Sequence, residues 1–281
     1  MKIDTLVLSG GGPSALAYIG IFHCLFENKL LTKDLNNIKE IITTSAGIFL
    51  PFMLLLKIDI KTIYSLIDQV DISSILKNDK ISVNDLLVDF GIYSNHKIKD
   101  IFQSVIKNKL NKSDLTLKEL YNHSKIKLTV KVFNATMKRL EYISYKTDPD
   151  LSISTLGMMT TAIPGIFKPV IYNDCKYVDG GLRGHYPIEK CKSKHYLGIF
   201  IIGGTINLNG KISKMLPILE FIYSLMINQD DMYYHKDKYH KKTIISDINL
   251  GCDFNIDKET YSKIITKGYR DCLKYITHNH L

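Results

Sequence analysis

Ser45 is the residue best suited to nucleophilic chemistry, since it lies in the run Ile41–Gly47 between two apolar stretches. A serine at a sharp turn from a strand into a helix presents its hydroxyl at an exposed corner. Strand and helix backbones approach closely there, so small neighbours are needed. Ala46 and Gly47 meet that need, whereas Thr43, two residues before the serine, is bulky. Alone this is a weak signal for a nucleophile, because short Ser-Ala-Gly runs are common.

A glycine cluster near the N-terminus could bind negative charge. Gly10, Gly11 and Gly12 follow the apolar run Ile3–Leu8 and precede a helical pattern. Backbone N–H groups in such a turn are unshielded, and the helix dipole adds positive potential. Two uses compete. One is a nucleotide-binding turn, whose pattern Gly10, Gly12 and Ala15 approximate; the other is an oxyanion hole for acyl transfer.

The residues after the second predicted strand favour the oxyanion hole. A dinucleotide-binding unit needs an acidic side chain there to bind ribose hydroxyls. This chain instead has Thr43, Thr44 and Ser45. A candidate nucleophile therefore occupies the position where a ribose ligand is expected.

Asp179 is the candidate general base. An Asp-Gly-Gly run is usually only a turn, but a carboxylate flanked by Gly180 and Gly181 could approach Ser45 without steric hindrance. An aspartate of ordinary pKa is a weak base, so the site must be partly desolvated to raise that pKa. His185, six residues after Asp179, could complete a triad, but we interpret it as a surface residue.

The elements that must position these residues alternate between strands and helices, which predicts a parallel sheet with right-handed crossovers. Residues 60–121 have a helical, lysine-rich pattern and are predicted to form a helical cap. Without a repeat or a Gly/Ser linker, residues 1–281 are predicted to form a single domain, with further helices in residues 212–281. Strands are predicted at Ile3–Leu8, Ile38–Thr44, Ile126–Thr136, Leu140–Tyr145 and Tyr196–Ile202. Helices are predicted at Ala15–Asn28, Ala46–Lys57, Ser152–Thr161, Ile212–Asp237 and Lys258–His278, and Thr243–Ile248 lies between the last two.

Composition narrows the class of partner. The net charge of +9 comes from lysine, and only Arg139, Arg183 and Arg270 are arginines. Because arginine is the main reader of phosphates and base edges, we expect no sequence-specific nucleic-acid binding. A lysine-rich surface suits either solvent or an anionic membrane. We place the best candidate membrane-facing segment at His235–His240, beside several tyrosines.

The cysteines and the longest apolar run bear on location. Five cysteines without a Cys-x-x-Cys pair fit unpaired thiols in a reducing compartment and have no zinc-site spacing. The run Ile48–Leu56 is about half the length that a bilayer-spanning helix needs. We therefore expect a cytoplasmic protein that is at most peripheral to a membrane.

In this order the glycine cluster, the serine turn and the Asp-Gly-Gly motif resemble the patatin-like phospholipase family. The family's proline- and phenylalanine-containing segment is matched by Thr161–Pro169, and the resemblance spans Ile3 to Pro187. Thr43 replaces the first glycine of the family's elbow, and Ser14 stands where the family usually has Arg or Lys.

The resemblance implies an α/β fold, a three-layer α/β/α sandwich with a central mostly parallel sheet, and a Ser–Asp dyad without histidine. Ser45 is then the nucleophile and Asp179 the base. The amides of the three loop glycines and of Ala46 would form the oxyanion hole, with Thr43, Gly47, Gly180 and Gly181 as supporting positions. We expect a metal-independent, cofactor-independent phospholipase A acting on phospholipid or another lipid ester. The alternative is a catalytically impaired lipid- or membrane-binding relative; the need for a protein activator is left open.

Overall fold

The structure is a computed structural model that describes residues 2–69, 72, 75, 90–202, 241–248 and 256–280. The strands are β1 Thr5–Leu8, β2 Glu40–Thr44, β3 Gly91–Tyr93, β4 Lys127–Asn134, β5 Arg139–Ile143, β6 Gly165–Phe167, β7 Val170–Tyr172, β8 Cys175–Asp179, β9 Tyr196–Ile202 and β10 Thr243–Asp247. The helices are α1 Ala17–Glu27, α2 Phe49–Leu55, α3 Ile60–Gln69, α4 His96–Leu110, α5 Leu117–Ser124, α6 Ile153–Thr161 and α7 Lys258–His278.

The central sheet has eight strands in the order β10-β9-β1-β2-β4-β8-β7, with β5 paired to β4. The strands from β10 to β4 are parallel, whereas β5, β8 and β7 pair antiparallel. Helices flank this mostly parallel sheet, so the predicted α/β class is confirmed. Side-chain alternation along β1 separates the two faces: Leu6 and Leu8 enter the main core, and Val7 enters a smaller one with Tyr186 and Phe200.

Strand β4 has two different neighbours along the same edge. Its first half pairs with β2, so that Thr44 lies opposite Lys131. Its second half pairs with β8, so that Asp179 lies opposite Val132. Strands β2 and β8 run in opposite directions along this edge, and their carboxyl ends therefore meet at adjacent positions of β4.

The elements that the sequence predicts individually match the structure to within a few residues: β1, β2, β4, β5, β9, α1, α2, α6 and α7. The short strands β6, β7, β8 and β10 were not predicted. α6 begins after Ser152, whose side chain accepts a hydrogen bond from the Thr155 amide, and α7 begins after Asp257, which caps the Thr260 amide. These side chains satisfy amides that the first helical turn leaves unpaired. The predicted helix Ile212–Asp237 and the segment from His235 lie outside the described residues.

The predicted cap, residues 60–121, is not helical throughout. Its described part contains α3, α4 and the first turn and a half of α5, but it also contains the strand β3. This strand pairs in parallel with β6, and Gly91 lies directly against Phe167. A strand of three residues is too short to show the two-residue alternation that would distinguish it from the helical pattern around it.

Helices α1 and α7 pack with their backbones almost in contact. A side chain at Gly20 would place its Cβ 1.9 Å from the Ile265 carbonyl oxygen, and one at Gly268 would lie 2.2 Å from the Ala17 carbonyl oxygen. The two glycines therefore set the distance between the helices. The 3₁₀ turn Gly12–Leu16 joins the glycine loop to α1. The contact between α1 and α7 therefore also holds in place the helix that follows the loop.

Gly20→Ala should lower the free energy of unfolding by about 2–3 kcal/mol, because the added methyl group must push the helices apart and outweighs the gain in helix propensity. Ser262→Ala, at an exposed position of α7, should change it by less than about 0.5 kcal/mol. Urea unfolding of both variants measures the difference. An unchanged midpoint for Gly20→Ala would contradict the close packing.

Candidate active site

Ser45 lies at the turn between β2 and a short 3₁₀ segment, Ser45–Ile48, that leads into α2. Its backbone is left-handed, with φ of 51°. A non-glycine residue in this region is disfavoured by about 1–2 kcal/mol, so the surrounding structure must hold it there. The side chain is only 7% exposed. The predicted strand–turn–helix context of the serine is confirmed.

The hydroxyl of Ser45 donates a hydrogen bond to Asp179. The distance from Oγ to Oδ2 is 2.6 Å, across 134 positions of the chain. The other carboxylate oxygen, Oδ1, accepts a hydrogen bond of 2.7 Å from the Gly181 amide. Both oxygens therefore have defined partners, and the carboxylate is oriented toward the serine. The structure brings the two predicted catalytic residues into direct contact.

Burial raises the pKa of Asp179 to about 6, because the charged form has lost its water. The hydrogen bonds from Ser45 and Gly181 and the nearby His185 and Lys131 lower this pKa, but by less than burial raises it. A carboxylate with a pKa near 6 is a better proton acceptor than an ordinary aspartate and is still largely ionised at pH 7. The sequence-based requirement for a desolvated base is met.

Thr160 holds the backbone of the turn, and sequence reasoning missed it. Its Oγ1 accepts a 2.8 Å hydrogen bond from the Ser45 amide and donates a 2.9 Å bond to the Lys131 carbonyl. The Thr44 hydroxyl donates to the same carbonyl at 3.2 Å. Strand β2, helix α6 and strand β4 are thus joined around the serine. The sequence pattern of α6 does not distinguish Thr160, which binds the Ser45 amide, from a threonine that only fills space in the core.

Lys131 is a buried lysine that orders the loop after Asp179, and it too was missed. Its side chain is 1% exposed. The ammonium donates to the carbonyls of Arg183 and Gly184 at 2.8 and 2.6 Å and forms an ion pair of 2.8 Å with Glu189. Three partners satisfy all three N–H donors. The signal in the sequence that could have identified Lys131 is its position between two valines in a predicted strand.

Of the three predicted glycine-loop amides, two remain candidates for oxyanion binding. The Gly10 amide donates to the His185 carbonyl at 2.8 Å, so it is engaged, and its prediction as an oxyanion donor needs correction. Gly11 and Gly12 have φ of 150° and 51°. Their amides, and that of Ala46 at the start of the 3₁₀ turn, have no acceptor among the described residues, as expected where a helix begins. These three amides remain the candidates for binding an oxyanion.

His185 is not the surface residue that the sequence suggested. It is half-buried, its ring stacks on Phe200 at a centroid distance of 4.9 Å, and its Nε2 lies 3.3 Å from the Ile201 carbonyl. Its own carbonyl holds Gly10 in place. His185 therefore joins the Asp179 loop, the glycine loop and β9. Any residue can accept a hydrogen bond through its backbone carbonyl, so the residue type at position 185 does not indicate this role.

Thr43 fits the elbow because Gly47 leaves room for it. A Cβ at Gly47 would lie 2.2 Å from the Ser9 carbonyl oxygen and 2.5 Å from Thr43 Oγ1. The threonine that replaces the first glycine of the elbow therefore fits because Gly47 has no side chain. The Thr43 hydroxyl is buried without a hydrogen-bond partner in the described part of the chain, as is that of Ser14.

A cavity of about 700 Å³ opens beside Ser45 and Ala46. Its volume is within the range of small-molecule sites. Its walls come mainly from α2, α3 and α4, so the segment predicted as a cap forms much of the cavity. The apolar lining includes Ile19, Phe49, Phe52, Met53, Ile101 and Val105.

The described residues contain no group of three or more His, Cys, Asp or Glu side chains arranged to hold a metal ion. They also contain no helix that combines the length and apolar character needed to cross a bilayer.

Comparison with known proteins agrees with the resemblance seen in the motifs. A family profile described as patatin-like phospholipase matches residues 6–191 of the 281. Protein R571 of Acanthamoeba polyphaga mimivirus is 26% identical over 98% of this chain and 94% of its own length. The probable lipid hydrolase 463L of Invertebrate iridescent virus 6 is 29% identical over 66% of this chain, and the match spans 62% of that viral protein.

The fold also matches a solved structure. VipD from Legionella pneumophila superposes with a TM-score of 0.64 at 20% identity, over 99% of this chain and 67% of the VipD chain. At this identity the likeness is one of fold.

Thr43→Val should leave the free energy of unfolding unchanged or raise it by about 1 kcal/mol, because the change removes a buried unpaired hydroxyl and keeps the shape. Thr160→Val is the matched control: it removes a hydroxyl with two partners and should lower that free energy by about 1–3 kcal/mol. Urea unfolding compares the two. If Thr43→Val proves as destabilising as Thr160→Val, the Thr43 hydroxyl has a partner after all.

Proposed function

This chain belongs to the patatin-like phospholipase family, and we propose that it is a serine acyl hydrolase of phospholipase A type that cleaves fatty-acyl esters of glycerophospholipids. The observation that carries the proposal is the 2.6 Å hydrogen bond from Ser45 Oγ to the buried, oriented carboxylate of Asp179. Family membership supports a lipid acyl hydrolase; the dyad, the phospholipid substrate and independence from metal ions are our proposal.

In the first half-reaction Asp179 accepts the hydroxyl proton while Ser45 Oγ attacks the ester carbonyl carbon. The negative charge that develops on the carbonyl oxygen is stabilised by the amides of Gly11, Gly12 and Ala46. The tetrahedral intermediate collapses, the C–O bond to the leaving alcohol breaks, and Asp179 returns the proton to that alcohol. The product that leaves is a lysophospholipid, and the acyl group stays on Ser45.

The second half-reaction uses the same groups with water. Asp179 takes a proton from a water molecule, whose oxygen attacks the acyl-enzyme carbonyl. The same three amides stabilise the charge, and the proton returns to Ser45 as the fatty acid leaves. The apolar cavity beside Ser45 would hold the acyl chain through both steps, because its lining offers apolar contact along most of its length.

Ser45→Ala should reduce fatty-acid release from phospholipid vesicles by at least about a thousandfold, because the nucleophile is lost. Asp179→Asn should cause a similar loss, because an amide cannot accept the proton. Mass spectrometry of products from a mixed phospholipid extract measures both activity and the position cleaved. Ser262→Ala, a serine exposed on α7, is the matched control and should retain full activity.

The outcomes separate the proposed enzyme from the non-catalytic relative. Release of fatty acid by the wild type alone supports the proposal. Equal release by Ser45→Ala would contradict the assignment of the nucleophile. Vesicle binding without release by any form would favour the lipid-binding alternative.

The activity should depend on pH through Asp179. Only the ionised carboxylate can accept the proton, and its pKa is about 6. kcat/KM for a water-soluble short-chain ester should therefore rise about tenfold per pH unit below pH 6 and level off above about pH 7. A profile that is flat from pH 5 to 7 would show that the base titrates as an ordinary aspartate, contrary to the burial seen in the structure.

A further inference from the structure

Three of the largest exposed apolar side chains lie on one surface of the protein. Phe90 is 55% exposed, Met137 is 54% exposed and Ile171 is 71% exposed. Folded proteins expose single apolar side chains routinely, but a group of them marks a contact surface. Together with Lys176, these three residues form what we call the edge patch.

Contacts around Lys176 join the members of the edge patch. Ile171 and Lys176 are directly opposite in the pairing of β7 with β8, so their side chains emerge on the same face. The Lys176 ammonium lies 5.3 Å from the centroid of the Phe90 ring. The Lys176 amide donates to Thr136 Oγ1 at 2.9 Å, and Met137 is the next residue.

Strands β8 and β6 connect the edge patch to the candidate active site. Lys176 is three residues before Asp179 on β8, about 10 Å along the strand, and this odd spacing turns the two side chains to opposite faces. Phe90 directly precedes β3, which pairs with β6, and β6 ends at Phe167 in the wall of the cavity. The edge patch is therefore joined to the cavity wall through these strands.

The charges around the edge patch are mainly positive. Lys138 follows Met137, Lys168 follows β6, and Lys176 is at the centre. Among the described residues of this group, Asp174, in the turn between β7 and β8, is acidic and exposed. Apolar side chains among lysines match a bilayer surface, where anionic headgroups attract the ammonium groups and the apolar groups enter the interface.

We propose that the edge patch is the surface by which this protein docks on an anionic lipid bilayer. The proposal goes beyond the hydrolase function, because binding can be measured without turnover. It uses residues other than the segment at His235 that the sequence favoured. Three apolar side chains are few for a protein interface, which buries about 800 Å² per partner, but they suit a fluid lipid surface.

The test uses full-length protein carrying Ser45→Ala, so that the vesicles stay intact. Sedimentation is measured with vesicles of phosphatidylcholine and with vesicles that also contain phosphatidylglycerol. We expect binding mainly to the anionic vesicles. Ile171→Ser removes an apolar group that would enter the interface. Lys176→Glu removes a basic group, and each such group near an anionic surface contributes roughly a factor of five. Each change should weaken binding to the anionic vesicles at least about fivefold. Both changes are at exposed positions, and thermal unfolding verifies that the variants are folded.

Leu273→Ser and Lys274→Glu on α7 are the matched controls, since Leu273 is 41% exposed and Lys274 is also exposed. Both should bind like the parent. The proposal is overturned if no form sediments with vesicles, if Ile171→Ser and Lys176→Glu bind normally, or if the controls lose as much binding, which would indicate diffuse charge. Hydrolysis of a water-soluble ester by the chain with Ser45 intact is measured separately, so a failed docking surface is distinguished from a failed hydrolase.

Discussion

The register of β4 is the constraint on which the candidate site depends. One edge of this strand pairs first with β2 and then with β8, so Thr44 and Asp179 lie opposite successive residues, Lys131 and Val132. Ser45 and Asp179 are 134 positions apart in the chain, yet backbone pairing alone brings them to the same point. A one-residue slip of β8 would turn the carboxylate to the other face of the sheet. The hydrogen bond between the two side chains is thus a consequence of sheet topology.

Holding the pair in place opposes the stability of the fold. Ser45 has a left-handed backbone, and Asp179 is a nearly fully buried carboxyl group. Because burial raises the pKa of Asp179 in the folded chain from 3.8 to about 6, the unfolded chain binds fewer protons between these values. The contribution of Asp179 to stability therefore falls as pH rises from about 4 to 6, by on the order of 3 kcal/mol, and stays lower above that range. Hydrogen bonds from Thr160, Gly181 and Lys131 to the surrounding backbone and carboxylate offset this strain.

Local signals in the sequence identified strands β1, β2, β4, β5 and β9, the turn at Ser45 and the loop at Asp179, because glycine and serine at strand ends have specific backbone requirements. The short strands β6, β7, β8 and β10 were not predicted, although β8 carries Asp179. The strand at Gly91–Tyr93 was missed, since its pairing with β6 depends on a distant partner. Thr160 and Lys131 were missed for the same reason: they act through a carbonyl or a loop that the chain brings to them only on folding. The Gly10 amide was misassigned because its acceptor, the His185 carbonyl, is likewise remote in sequence.

The Gly10 amide joins the glycine loop to the His185 carbonyl, and the Ser45 amide joins the elbow to the Thr160 hydroxyl. The Gly181 amide orients the Asp179 carboxylate, so the site is preorganised before any substrate arrives. The most direct test of this account is fluorophosphonate labelling of the wild type and of Asp179→Asn, with the modified peptide identified by mass spectrometry. We predict a single adduct on Ser45 in the wild type and labelling slowed by at least about a hundredfold in Asp179→Asn. Equal labelling rates in the two proteins, or an adduct on another residue, would contradict the proposed pairing of nucleophile and base.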